Sequence, residues 1–171
     1  MIHATDSKGT FYILNKKDRT PIIFIHGVGL DHSIWDPQIN EFDNTVLIYD
    51  ILGHGKTPLN KNDLSFDDFS DQIINLIDEL KFNKVHLVGF SIGSLIARNF
   101  ATRFNNRLAS LTLLCSIFNR SDKEQKIVND RFEQTKKDHK LTKDALKRWF
   151  TEDFLNKNPD ISDKIFTILQ N

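Results

Sequence analysis

A chain of 171 residues has room for one sizeable core, and its 39% hydrophobic and 27% charged content matches globular domains. Its 23 Lys and Arg balance 23 Asp and Glu and are interspersed with them, which speaks against a nucleic-acid-binding stripe or an acidic tail. The single cysteine, Cys115, has no partner for an internal disulfide, Met1 to Thr10 is too polar for a signal peptide, and no apolar run approaches the roughly 18 residues of a membrane span, so a cytoplasmic protein outside the membrane is expected.

The first strand-like run is Phe11 to Leu14, preceded by the turn formers Asp6-Ser7-Lys8-Gly9, and the pair reads as a hairpin. Ile22 to Ile25 is a short continuous apolar run that opens directly into His26-Gly27-Val28-Gly29. Such runs suit strands buried on both faces, and the same grammar returns at Thr45 to Tyr49 before Asp50, at Val85 to Val88 before Gly89, and at Leu111 to Leu114 before Cys115. Between them, Phe66, Phe69, Ile73, Leu76, Ile77 and Leu80 line one face of a helix, with Ser65 and Asp68 in capping-box spacing at its start. Ile92, Leu95, Ile96, Phe100 and Phe104 repeat the pattern immediately after Ser91. Alternating strand and helix predicts an α/β fold, a mostly parallel sheet with helices on both faces, over residues 1–118. Residues 119–171 contain only helical patterns, with starts predicted at Ser121 (through Lys137), Thr142 (through Phe150) and Ser162 (through Leu169), and read as a separate helical segment.

Gly89-Phe90-Ser91-Ile92-Gly93 has the form G-x-S-x-G between an apolar strand and an amphipathic helix. The chemistry requires that setting: the chain must turn sharply while holding a strained, exposed serine, and a side chain at either glycine would clash. Ser91 is therefore the expected nucleophile, against the plainer possibility of a helix-capping serine. Attack on a carbonyl develops a negative oxygen that needs preorganised N–H donors. The Ile92 amide, at a helix start, and the Val28 amide, after His26-Gly27, are the expected oxyanion pair. His26, Gly27, Gly89 and Gly93 are expected to shape the supporting turns.

His26-Gly27-x-Gly29, Asp50-x-x-Gly53-His54-Gly55 and Gly89-x-Ser91-x-Gly93, in this order after strands, resemble the α/β-hydrolase superfamily over essentially the whole chain. Trp35-Asp36-Pro37-Gln38 and Arg148-Trp149-Phe150-Thr151, followed by Phe154 and Pro159, are similar to the 3-oxoadipate enol-lactonase branch. The resemblance implies a cofactor-free serine hydrolase acting on a small-molecule carboxylic ester or lactone, with 119–171 as a substrate-selecting helical cap and Asp50 anchoring the 53–55 loop. It also implies a triad in the order Ser, acid, His, with the acid and histidine carried by later strands absent from this chain. Cys115 to Phe118 offers no acid in the alternative position used by some relatives. His26 and His54 belong to turns, His86 to a strand, His3 and His32 to terminal or loop settings, and His139 to a polar stretch, so no general base is assigned. The chain thus reads as C-terminally truncated, with a catalytically inactive fragment or non-catalytic module as the alternative. Cys115 is expected to be a small buried side chain, Trp35, Trp149 and Phe150 to serve in packing more than pocket lining, and no His, Cys or carboxylate cluster has metal-ligand spacing.

Overall fold

The computed structural model describes residues 1–137, 146–147 and 149–170. Contacts divide the chain into two compact units, Met1–Ser116 and Ile117–Asn171. The first unit is built on one six-stranded sheet of β1 (Ile2–Thr5), β2 (Phe11–Asn15), β3 (Arg19–Ile25), β4 (Asn44–Tyr49), β5 (Val85–Phe90) and β6 (Leu108–Leu114), in the order β1-β2-β4-β3-β5-β6. Strands β3 to β6 pair in parallel; β1 and β2 join as an antiparallel hairpin, and β2 runs antiparallel to β4.

The hairpin turn follows from its residues. Asp6 Oδ1 accepts the Lys8 and Thr10 amides at 2.9 and 2.7 Å, and Gly9 supplies the φ of +93° that the turn needs. In β3 the pairing with β4 shifts register between Arg19 and Ile22, across Pro21, which has no N–H to give to a ladder.

Helix α1 (Phe66–Glu79) begins at the capping box expected from its sequence, Ser65 and Asp68 exchanging both bonds. Phe69, Ile73, Leu76 and Ile77 are buried, while Phe66 at the first turn stays 42% exposed. Together with Ile96, Ala97 and Phe100 of α2 (Ile92–Arg103), they pack on Ile23, Ile25, Leu47, Tyr49 and Leu87 of the sheet. The opposite face is covered within this unit by residues 31–42 instead of an α-helix: Trp35 and Ile39 pack on Ile22, Phe24, Val46 and Ile48.

One expectation changes here. The run Leu111 to Leu114 lies in β6, the edge strand among the described residues, paired with β5, and Leu111, Leu113 and Leu114 remain more than a third exposed instead of buried on both faces. Trp35 is a core side chain.

In the second unit, α3 (Asp122–Lys137) starts where Ser121 and Glu124 form a capping box, as their spacing predicts. The helix expected from Thr142 through Phe150 falls mostly outside the described residues. α4 (Glu152–Lys157), capped by Thr151, was not foreseen. α5 (Pro159–Gln170) begins three residues before Ser162, because proline's fixed φ and missing N–H suit the first helical position. Trp149 is exposed, and Phe150 stacks on Phe154 with ring centroids 5.0 Å apart. No helix among the described residues is long and apolar enough to cross a membrane.

Candidate active site

Chain order changes direction across β3: β4 lies on one side of it and β5 on the other. Crevices at the carboxyl ends of strands form at such switch points. The register pairs Ile25 with Gly89, so the residues after each strand, 26–30 and 91–93, emerge side by side.

Ser91 stands at the junction of β5 and α2 with φ 55° and ψ −118°, a conformation that costs an L-residue about 1–3 kcal/mol. Its backbone is held at both ends. The Ser91 N–H donates to Leu114 O at 3.0 Å, and Ser91 O accepts from Ser94 N at 3.0 Å and from Ser94 Oγ at 2.5 Å. The hydroxyl makes no capping bond, which removes the helix-cap alternative. A Cβ on Gly89 would fall on Gly93 O and lie 2.5 Å from Gly93 C; one on Gly93 would lie 2.5 Å from Ile25 O and 2.7 Å from His26 O. Only glycine lets the start of α2 approach β5 and the end of β3 this closely.

The neighbouring turn is equally constrained. Leu30 N–H donates to Gly27 O at 3.2 Å across a β-turn in which Gly29 takes φ +72°. A Cβ on Gly27 would press on the Phe90 ring at 3.2 Å. His26 is fully buried, with Nδ1 2.8 Å from Gly27 O and Nε2 accepting the Ile51 N–H at 3.0 Å. Burial pushes the His26 imidazole down to about 4, partly countered by the bond to Gly27 O, so the ring is neutral at pH 7. Among the described residues no partner is recorded for the Val28 or Ile92 N–H.

Asp50 ends β4 fully buried. Its Oδ1 accepts the His32 N–H and the His32 ring Nδ1, each at 2.7 Å, and its Oδ2 accepts the Lys56 N–H at 2.9 Å. Burial raises the carboxyl's pKa, but the His32 and Lys56 bonds outweigh it, and the net shift is downward. Asp50 thus anchors the 53–55 loop, as the resemblance implied, through the Lys56 N–H that follows it, and Gly55 packs so closely that a Cβ there would overlap the carboxylate.

His32 departs from the expected loop setting: it is buried in a short 3-10 turn (His32–Trp35) and paired with Asp50. The pair spans 18 positions, and nothing in the sequence marks it beyond Asp31, the cap that fixes the turn through Ser33. The fold also brings ligand atoms of Asp31, His32 and Asp50 within 4.8 Å of one another, a cluster invisible in sequence spacing. All three are already committed, Asp31 to Ser33 and Asp50 to His32 and Lys56, so the cluster fits a turn brace better than a metal centre.

Two other histidines have neighbours of their own. His54 packs its ring on His26 with centroids 5.4 Å apart, and His86 Nδ1 lies 2.7 Å from Ser110 Oγ across β5 and β6. His139 lies outside the described residues. Cys115, expected to be buried, is exposed, with φ 52° at the end of the edge strand.

A mostly parallel sheet ordered in this way, with a strained serine at a strand–helix elbow, defines the α/β hydrolases. The chain belongs to that family: the model for the alpha/beta hydrolase fold matches residues 20–159. Among its relatives is the (E)-2-((N-methylformamido)methylene)succinate hydrolase of Acinetobacter baylyi, 29% identical over 86% of this chain and 57% of that protein. The 3-oxoadipate enol-lactonase 2 of the same organism is 24% identical over 95% of this chain and 61% of its own. A hydrolase from Pseudomonas aeruginosa superposes with a TM-score of 0.82 at 19% identity, covering 99% of this chain and 66% of that one. The enol-lactonase from Burkholderia xenovorans gives 0.78 at 24% identity, covering 99% and 68%. The chain spans about three-fifths of the length of these curated relatives.

Proposed function

We propose that this chain carries the nucleophile and the oxyanion-binding half of a serine hydrolase that acts on a small carboxylic ester or lactone, without a cofactor. Ser91 Oγ attacks the carbonyl carbon and the Val28 and Ile92 N–H groups receive the oxygen as it becomes negative; the ester C–O bond then breaks, the alcohol leaves with the proton Ser91 gave up, and water hydrolyses the acyl-serine to the acid and the free Ser91 hydroxyl. The observation that carries this reading is the Ser91 backbone at φ 55°, held between two glycines that have no room for a Cβ. Strain of this kind, in a residue whose hydroxyl makes no capping bond, is accounted for by an elbow that presents the hydroxyl to a substrate. The free N–H groups at adjacent strand ends support the oxyanion assignment, and the enol-lactonase relatives support a lactone or ester. Residues 119–171 are assigned to substrate choice and the protein to the cytoplasm.

A second reading has its own support: no hydrogen-bond partner is recorded for Ser91 Oγ among the described residues, and the two buried histidines of the site are engaged elsewhere. In that reading the 171 residues bind but do not turn over. A fluorophosphonate probe separates the two. In a full-length version, labelling at Ser91, lost in Ser91→Ala, is expected; an alanine variant labelled at the wild-type rate would refute the nucleophile assignment.

A further inference from the structure

We infer that His26 is a positioning residue that aims the Val28 N–H at the developing oxyanion by fixing the peptide plane between Gly27 and Val28. The inference rests on the assignment of Val28 as an oxyanion donor and adds how that donor is held.

The geometry starts at Ile51. Its N–H donates to His26 Nε2, so that nitrogen presents a lone pair and the single proton of the neutral ring resides on Nδ1. Nδ1–H then donates to Gly27 O, 2.8 Å away. The same oxygen accepts the Leu30 N–H at 3.2 Å, so the Gly27 carbonyl is held from two directions. A peptide unit is planar, and here it is trans, which places the Val28 N–H antiparallel to the Gly27 C=O. Fixing one end of the plane therefore fixes the other, and the Val28 N–H has no protein partner among the described residues. Gly27 cannot hold this direction by itself, since without a Cβ its backbone is permissive.

The far end of the segment is tied to the same strand end. His32 N–H and its ring bond Asp50, the neighbour of Ile51, so residues 26 and 32 fasten the intervening turn to consecutive residues after β4. The turn is thereby preorganised before any substrate arrives, the condition under which an oxyanion donor lowers a barrier.

Asparagine and glutamine separate this role from packing, because the Asn amide can stand where Nδ1 is and the Gln amide where Nε2 is. His26→Asn can keep the bond to Gly27 O, whereas His26→Gln can keep only the bond to Ile51. Fluorophosphonate labelling of Ser91 in the full chain gives kinact and KI, thermal unfolding reports the fold, and 15N NMR of the histidine rings reports the tautomer. The expected results are the Nδ1–H tautomer in wild type, kinact for His26→Asn within about threefold of wild type, and kinact for His26→Gln down by about tenfold or more at unchanged KI, as loss of an aligned oxyanion donor predicts. A folded His26→Gln variant with wild-type kinact would overturn the inference. So would an Nε2–H tautomer, or a His26→Asn variant slowed as much as the glutamine one, and these two decide the matter should His26→Gln fail to fold. Wild-type protein that is not labelled at all overturns the Ser91 reading first, and this inference with it.

Discussion

Alanine at Gly89 puts the closest backbone contact of the elbow to the test. The added Cβ would fall on Gly93 O, 2.5 Å from Gly93 C and 2.8 Å from Ser94 Cα. All are main-chain atoms in the first turn of α2, so no side chain can swing aside. Either β5 or the helix must shift by about 1 Å to restore ordinary contact near 3.5 Å. Overpacking costs about 1–3 kcal/mol, and a collision with immovable backbone belongs at the upper end, about 3 kcal/mol. For a chain of this size each kcal/mol lowers Tm by about 2–4 °C, so a fall of about 6–12 °C is expected. Gly9→Ala is the control. Its Cβ would meet nothing closer than Pro58 Cγ at 3.7 Å, leaving only the penalty for its φ of +93°, about 1–2 kcal/mol. The discriminating readout is Ser91 labelling measured beside scanning calorimetry: Gly89→Ala should lose both stability and labelling, and Gly9→Ala only stability. A Gly89→Ala protein that melts within about 2 °C of wild type and labels at the same rate would show that close approach does not hold the serine's conformation.

Two further outcomes are expected. His26 has a folded pKa near 4 against an ordinary value near 6.5, in a setting where the charged form of His54 opposes its protonation and Asp50 and Asp31 favour it; between those pH values the unfolded chain binds the extra proton. Its contribution is therefore fully present above pH about 6.5 and is lost as pH falls toward 4, by about 3 kcal/mol in all, and His26→Asn should flatten that part of the stability profile measured by urea unfolding. Cys115, being exposed, should react with a chromogenic disulfide reagent in native buffer at a rate within about tenfold of that in denaturant; a thiol that reacts only after unfolding would contradict its exposure.

What was legible in the sequence divides along the range of the interactions that fix it. The strand runs and the capping boxes at Ser65 and Ser121 are set by neighbours within a few positions, and the serine elbow, though held also by Ile25, His26 and Leu114, carries a local signature in its two glycines; all stand where spacing placed them. His32 was misjudged because its partner, Asp50, is 18 residues away and the two meet only once β3 and β4 have paired. Cys115 and the run Leu111 to Leu114 were judged by apolar character alone. Apolar character cannot distinguish a central strand from an edge strand, and the edge position leaves these residues open to solvent. Pro159 was passed over in favour of Ser162 because a capping side chain is a stronger local signal than a proline, although proline needs no partner to begin a helix.

In the proposed site both oxyanion donors are backbone N–H groups, and this changes which residues matter. Val28 is 59% exposed, and neither its side chain nor that of Ile92 supplies a donor. Substituting either with another non-proline residue leaves the N–H in place. The groups that decide where those N–H bonds point lie elsewhere: His26 holds the Gly27 carbonyl, Gly89 and Gly93 admit the start of α2, and Leu114 O and Ser94 fasten the backbone of Ser91. Ser91 apart, a substitution scan of the site should therefore find its largest effects at residues that offer the substrate no atom of their own, and nearly none at the two that supply the N–H donors. A search for functional side chains alone would rank them the other way round, because it weighs what a residue presents and not which peptide plane it orients.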